Sequence, residues 1–322
     1  MPCPDTALVL TAGLGTRLRP LSSVRAKPAV PLAGTPIACR ILEWLAGFGV
    51  RNAVLNLHHL PETIAAAVGD GRDLGVAVRY SWEQPLLGSA GGPRRALPLM
   101  TGDTFLLVNG DTLTDVDLHA LAAAHAASGA MATLALSPDR DTRRYGGVSL
   151  DADGAVSRFV RKGGVEPAFH FVGVQIVERS AFAHLPDGVP LESFTGVYPT
   201  LIDHRPGSVR GFVSDAGFRD VGTPADYLAA SFAVARLEGL SAQPPGRRTV
   251  VHPSSRLVDT ILWDDVTIGP GCELERCIVA DRVLLPAGVR LTDTAIVVAD
   301  RQDVRPGERM LGNLLLVPIP PV

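Results

Sequence analysis

Leu10-Thr11-Ala12-Gly13-Leu14-Gly15-Thr16-Arg17-Leu18-Arg19-Pro20, with Lys27-Pro28 a little further on, begins where the short apolar run 7–10 stops. That run reads as a buried strand of a parallel sheet. The glycines after it let the backbone turn sharply and approach a ligand closely. Exposed N–H groups in such a loop make a concave anion site. Arg17 adds a planar fork suited to phosphate oxygens, and Lys27 adds a mobile point charge. Strand, glycine turn, arginine and lysine together predict a triphosphate cradle.

Two other glycine loops are excluded. The dinucleotide fingerprint needs a small residue three after its second glycine, where Leu18 stands. The P-loop needs Gly-Lys-Ser/Thr after four intervening residues, which this stretch lacks.

Downstream the chain alternates. Thr35 and Pro36 read as a helix start for the spaced apolar set Ile37, Ile41, Trp44, Leu45 and Phe48, closed by Gly49. Strands follow at 53–57, 76–80, 104–108, 131–136 and 170–177, with helices at 61–68 and 117–128, the latter opened by Asp117. Asp115 reads as a second helix-start acid, and His58 and His59 as surface or lining residues. Gly88, Gly91 and Gly92 are too dense for a helix interior and predict a loop under a flat ligand. The alternation implies an α/β, doubly wound, mostly parallel sheet with its site beyond the carboxyl ends of the strands. Residues 148–150 and 156–160, around Asp151-Ala152-Asp153-Gly154, predict a hairpin.

Residues 236–246, rich in Gly and Pro, read as a linker, and beyond them the chain repeats. Val266, Ile268, Gly271, Cys272 and Leu274 match Val283, Leu285, Gly288, Val289 and Leu291 at a step of 17 (283 − 266). Val251, Leu257 and Ile261 precede Ile268, Leu274 and Ile278 by the same step. About three such coils predict a short left-handed β-helix, whose faces are buried only by stacking. The expected domains are 1–237, a linker at 238–248, and 249–322.

With 322 residues, 46% of them hydrophobic and 20% charged, the chain can bury a sizeable core. A net charge of −3 gives no footprint for nucleic acid. The four cysteines (Cys3, Cys39, Cys272, Cys277) make no CxxC pair, so reduced thiols in the cytoplasm are expected. No signal peptide and no apolar run of about 18 residues is seen, so export and a membrane span are not expected.

The motifs Gly13-Leu14-Gly15-Thr16-Arg17-Leu18-Arg19-Pro20-Leu21 and Lys27-Pro28-Ala29-Val30-Pro31 resemble the signature of the sugar-1-phosphate nucleotidyltransferases. The resemblance continues through Leu86-Leu87-Gly88-Ser89-Ala90-Gly91-Gly92, Asn109-Gly110-Asp111 and Asp220-Val221-Gly222-Thr223-Pro224, over roughly two thirds of the chain. It implies a Rossmann-like fold, and attack by a sugar-1-phosphate oxygen on the α-phosphorus of an NTP with release of pyrophosphate. Arg17 and Lys27 would act on the phosphates. Thr11, Ala12, Gly13, Gly15, Thr16, Glu83, Gly88 and Gly110 would surround the nucleotide, with Glu83 either a base acceptor or a solvated loop acid. Gly146, Lys162, Gly173 and Glu192 would serve the sugar phosphate. A helix-start acid for Glu192 and a solvated lysine for Lys162 are the alternatives, because Arg161-Lys162-Gly163 replaces the usual Glu-Lys-Pro. Asp111 and Asp220 would hold Mg²⁺, although an aspartate after a strand also caps turns.

Arg143-Arg144-Tyr145-Gly146-Gly147-Val148 begins a region of different character, in which Gly146 and Gly147 resemble the family's tight sugar-contacting turn. Phe171-Val172-Gly173 stands where many relatives have Asn-Ala-Gly, which leaves the sugar open. GTP with mannose-1-phosphate is the preferred pair. The alternatives are uridylyl or thymidylyl transfer to glucose-1-phosphate, N-acetylmuramate-1-phosphate or a heptose-1-phosphate, or a non-catalytic regulatory subunit. The implied partners are the two substrates and a second copy of the chain in a homo-oligomer.

Overall fold

A computed structural model describes residues 3–138, 145–164, 166–299 and 304–320. Arg143 and Arg144 lie outside them. The chain divides into two compact units, residues 1–13 with 38–219 and residues 14–37 with 220–322. The division falls inside the glycine signature, between Gly13 and Leu14.

The first unit is built on seven strands: β1 (Thr6–Leu10), β2 (Asn52–Leu57), β3 (Ala77–Trp82), β4 (Thr104–Asn109), β5 (Ala132–Ser137), β6 (His170–Glu178) and β7 (Val209–Val213). Their order is β7-β5-β6-β4-β1-β2-β3. Neighbours run parallel except at β6, which is antiparallel to both β4 and β5. The expected mostly parallel sheet is therefore present. Strand order reverses between β1 and β4, and ligands of such sheets bind at that switch point. Leu8, Val54, Phe105, Leu107, Leu134, Leu136 and Val177 share one buried cluster, as β-branched and aliphatic strands covered by helices require.

Several local expectations hold. The helix Leu118–Ser128 is capped by Asp117, whose carboxylate accepts from the His119 and Ala120 amides. After the helix Ile37–Gly47, Gly49 N–H donates to Ala46 O and Val50 N–H to Leu45 O, a Schellman closure with Gly49 at φ 89°. Strands Gly147–Leu150 and Val156–Val160 pair as the predicted hairpin.

Three expectations are corrected. Thr35–Pro36 is a short strand paired with Pro31–Leu32, not a helix cap. Ala33 (φ 46°) and Gly34 (φ 84°) both adopt the left-handed region, which makes a two-residue hairpin turn. Gly88–Ala96 is a helix, not a loop. Its glycines answer to packing rather than propensity: a Cβ on Gly91 would lie 2.5 Å from Val189 O, and one on Gly92 2.5 Å from Glu83 Oε1. Asp115 does not start a helix; its carboxylate accepts from Gly217 N–H at 2.5 Å.

The second unit carries the rest of the signature loop, the helix Pro224–Leu237 and a parallel β-helix. Thr223 and Asp226 form a reciprocal capping box at the start of that helix. The β-helix has three faces. One holds Val250–Val251, Thr267–Ile268 and Leu284–Leu285; another holds Arg256–Val258, Glu273–Glu275 and Arg290–Thr292. The third holds Ile261–Leu262, Ile278–Val279 and Thr294–Val298, and is extended by the antiparallel strands Leu314–Pro318 and Arg309–Leu311. Registers such as Val251↔Ile268, Leu257↔Leu274 and Ile261↔Ile278 confirm the step of 17 read from the sequence. Val266, Ile268, Cys272, Leu274, Val283 and Leu285 fill its interior.

Corner positions recur at the same step. Arg248, Asp265 and Arg282 all have positive φ, as do Asp259, Arg276 and Asp293. Charges alternate along both columns, and also along Arg256, Glu273 and Arg290. Ion pairs join Arg248 to Asp265, Arg276 to Asp293 and Arg290 to Glu273.

Candidate active site

In the first unit, the switch point brings the ends of β1 and β4 into contact. Gly110 N–H donates to Leu10 O at 2.9 Å. A Cβ on Gly110 would sit 2.5 Å from that oxygen and 2.8 Å from Thr11 Cγ2, so only glycine fits. Asp111 follows directly, half-buried, with Thr112 Oγ1 donating to its Oδ1 at 3.4 Å. Gly173 belongs to the same neighbourhood. It lies in the irregular stretch of β6 between Phe171 and Gln175 at φ 83°, and a Cβ there would stand 2.9 Å from Thr112 Oγ1.

Thr11 and Ala12 differ from the expectation of open amides. Both N–H groups donate to Asn56 Oδ1, at 2.6 and 3.3 Å, and Thr11 Oγ1 donates to Asn56 O. Gly13 is exposed, and a Cβ there would meet nothing within 4 Å.

Glu83 is buried, at 1% exposure, and its two oxygens are engaged within the chain. Asn56 Nδ2 donates to Oε1 at 2.7 Å and Leu87 N–H to Oε2 at 2.8 Å. This burial contradicts a solvated loop acid, because the carboxylate is closed off from water and held by donors of the chain itself. Glu83 and Asn56 together connect the strand end at Thr11 to the start of the Gly88–Ala96 helix. Asn56 was not singled out from the sequence; its signal was a polar residue inside an apolar strand.

At the N-terminus of the same helix, Ser89 N–H and Ser89 Oγ donate to Glu192 Oε2, at 3.3 and 2.5 Å. A Cβ on Gly88 would meet Glu192 Oε1 at 2.5 Å. A carboxylate at this position is favoured by the partial positive charge of a helix N-terminus. Gly146 lies against the backbone leading to Lys162: its Cβ would be 2.6 Å from Val160 O and 3.1 Å from Lys162 N. The Lys162 side chain is exposed.

In the second unit, the remaining signature residues meet at Asp220. Gly15 adopts φ 58° and opens a short turn over Thr16–Leu18, with Ser22 Oγ donating to Gly15 O at 2.8 Å. Thr16 is exposed on that turn. Arg17 Nη1 lies 3.9 Å from Asp220 Oδ2, and Lys27 Nζ lies 3.8 Å from Asp220 Oδ1. Lys27 is buried while the Arg17 fork is exposed. Gly222 permits this approach, since a Cβ there would be 2.7 Å from Asp220 Oδ2 and 3.0 Å from Arg17 Nη1. Asp226 Oδ2 lies 3.2 Å from the same Cβ position, so two cations and two carboxylates gather there, with the exposed Arg17 fork the group open to a phosphate.

Comparisons with known proteins identify the family. The family described as Nucleotidyl transferase matches residues 6–236. A mannose-1-phosphate guanylyltransferase of Mycobacterium tuberculosis is 31% identical, over 88% of this chain and 81% of its own length. A UTP–glucose-1-phosphate uridylyltransferase of Synechocystis is 30% identical, over 82% of this chain and 72% of its own. The crystal structure of HddC from Yersinia pseudotuberculosis complexed with GMP-PN superposes with a TM-score of 0.62 at 26% identity, over 71% of this chain and 99% of that one. The chain belongs to the nucleotidyl transferase family and is a sugar-1-phosphate nucleotidyltransferase.

Proposed function

We propose that the enzyme transfers GMP from GTP to mannose-1-phosphate, giving GDP-mannose and pyrophosphate. The observation that carries nucleotidyl transfer is the cluster of Arg17, Lys27 and Asp220, set on the glycine turn of the signature. GTP and mannose-1-phosphate are favoured by the likeness to the mycobacterial enzyme, which extends over 88% of the chain. The bound GMP-PN of the Yersinia protein supports a guanine nucleotide. The Synechocystis likeness supports a second reading, uridylyl transfer to glucose-1-phosphate.

The chemistry needs no protein base. A phosphate monoester has its second pKa near ~6, so the nucleophile is ionised at neutral pH. One sugar-phosphate oxygen forms a bond to the α-phosphorus. The bond to the bridging oxygen breaks, and its electron pair leaves with pyrophosphate. Arg17 and the amides from Gly13 onward hold the departing phosphates, Lys27 neutralises charge beside them, and Lys162 receives the sugar phosphate.

Among the described residues no three His, Cys, Asp or Glu side chains gather as a metal cage. Single carboxylates suit Mg²⁺, which takes one or two from a protein and completes its shell with substrate phosphates and water. Asp111 and Asp220 are its proposed ligands. Bound Mg²⁺ would supply charge neutralisation at the phosphates.

The buried thiols Cys39, Cys272 and Cys277 are free, which supports a reducing, cytoplasmic setting. No helix among the described residues is long and apolar enough to cross a membrane. A homo-oligomer is part of the same reading, and sedimentation measures it.

The test is Mg²⁺-dependent pyrophosphate release, with GTP, UTP, dTTP, ATP and CTP each crossed against a panel of sugar-1-phosphates. Release with GTP and mannose-1-phosphate, lost by ~10²-fold or more in Asp111→Asn, is expected. Release only with UTP and glucose-1-phosphate would replace the first reading by the second.

A further inference from the structure

Arg25 stands two residues before Lys27, between the short helical turns Leu21–Ser23 and Lys27–Ala29. Its guanidinium is mostly buried and reaches two carboxylates of the β-helix. Nε and Nη2 donate to Asp281 Oδ2 and Oδ1 at 2.6 and 2.7 Å, and Nη2 lies 3.0 Å from Asp264 Oδ2. The same guanidinium lies 5.4 Å from the ring centroid of the buried Trp263. The indole N–H donates to Tyr227 Oη at 2.9 Å, and Tyr227 O–H donates to Pro31 O at 2.6 Å. Ala33 N–H donates to Ser231 Oγ at 3.0 Å. The segment bearing Lys27 is thus fastened on both sides, at residue 25 and at residues 31 and 33.

The charge columns of the β-helix explain why Arg25 belongs there. Three columns alternate in sign, but the column Arg247, Asp264, Asp281 reads plus, minus, minus. Stacked neighbours in parallel strands are only ~4.8 Å apart, and like charges at that spacing repel. The second aspartate is out of pattern unless a cation arrives from outside the column. Arg25 is that cation, and it bridges both carboxylates.

We propose that Arg25, clamped by Asp264 and Asp281, is a positioning residue for the triphosphate site: the β-helix holds the signature loop so that Lys27 meets its ligand. This rests on the reading of Lys27 and Arg17 as phosphate ligands. A charged group misplaced by about 1 Å can cost ~10²-fold in rate, so the clamp acts through geometry without touching substrate.

The experiment compares Arg25→Met, Arg25→Lys and Asp281→Asn with wild type and with Arg248→Ala, which removes an ion pair from another column. Each is assayed as full-length protein, below its unfolding midpoint, with folding checked by circular dichroism. Dissociation constants for GTP and for mannose-1-phosphate are measured separately, beside kcat and KM. The expected result for Arg25→Met and Asp281→Asn is a rise of about tenfold or more in the GTP constant and a lower kcat, with the mannose-1-phosphate constant unchanged. Arg25→Lys keeps part of the affinity, the double variant Arg25→Met/Asp281→Asn is no worse than either single one, and Arg248→Ala behaves as wild type. Should Arg25→Met fail to fold, Arg25→Lys and Asp281→Asn carry the test. Folded variants with wild-type GTP affinity and kcat would overturn the proposal, as would equal losses for both substrates. A wild type that turns over while the variants do not differ sinks the clamp alone. A wild type that neither binds nor turns over any nucleotide sinks the reading of function and the clamp with it.

Discussion

Two carboxylate systems order the loops of this enzyme, one in each unit, and they are built from opposite materials. In the first unit, buried Glu83 receives an amide from Asn56 and another from Leu87, all of them neutral donors. In the second, Asp264 and Asp281 receive the charged fork of Arg25, with Arg247 added on Asp264. Neutral amides fix direction, because each N–H must aim at one oxygen. A guanidinium fixes a plane and a charge balance, and can straddle two acids at once. The first device suits a strand end that must stay in register. The second suits a loop that has to be tied to a stack of coils far away in sequence.

The sharpest way to break the comparison is Glu83→Ala. It strands two buried donors, and leaving a buried polar group unsatisfied costs roughly 1–3 kcal/mol each. A fall of about 2–6 kcal/mol in unfolding free energy is expected in denaturant titrations. A loss under about 1 kcal/mol would mean that water or another residue replaces the carboxylate, and that Glu83 is not the neutral counterpart of the clamp.

An acid titration followed at Trp263 reports on the charged system, since that ring lies beside Arg25. Burial works to raise the Asp264 pKa, but the hydrogen bonds from Arg247 and the charge and hydrogen bond of Arg25 outweigh it, and the group sits below the usual carboxylate range. Its folded pKa is therefore below its unfolded one. The stability it contributes is present above the unfolded value, near ~3.9, and is lost as pH falls through the folded value. The Trp263 fluorescence, which reports the neighbourhood of Arg25, is expected to change only below about pH 4. A change centred near pH 6 would point to a histidine and away from this carboxylate.

The smallest effect is expected from Arg276→Ala. Its partner Asp293 is more than a third exposed, and exposed pairs are screened by water and salt. The unfolding midpoint should move by less than about 2 °C. A larger shift would place the corner ladders beside the Arg25 clamp in importance.

Much of this was legible in the sequence, and the boundary has physical causes. The strands of the sheet and the step of 17 showed because burial forces a repeating apolar pattern, as at Leu257, Leu274 and Leu291. The cluster at Asp220 was foreshadowed by the signature motifs around Arg17, Lys27 and Gly222. The Gly88–Ala96 helix was hidden because helix propensity disfavours glycine, while close approach to Val189 O and Glu83 selects it. Thr35-Pro36 carried a capping signal that the Ala33-Gly34 turn overrode. Arg25 gave no local signal at all: its partner Asp281 lies 256 residues away, and nothing within a window of sequence shows such a contact.

The alternating columns of the β-helix act as a parity check on its growth. Arg248, Asp265 and Arg282 stack in turn, as do Asp259, Arg276 and Asp293, and Arg256, Glu273 and Arg290. Duplicating one 17-residue coil, or deleting the middle one, would set like charges against each other in all three columns at once. Duplicating two adjacent coils together would keep the alternation in each of these columns. A lineage carrying this pattern should lengthen its tail by duplication in even steps, with odd steps requiring compensating charge reversals.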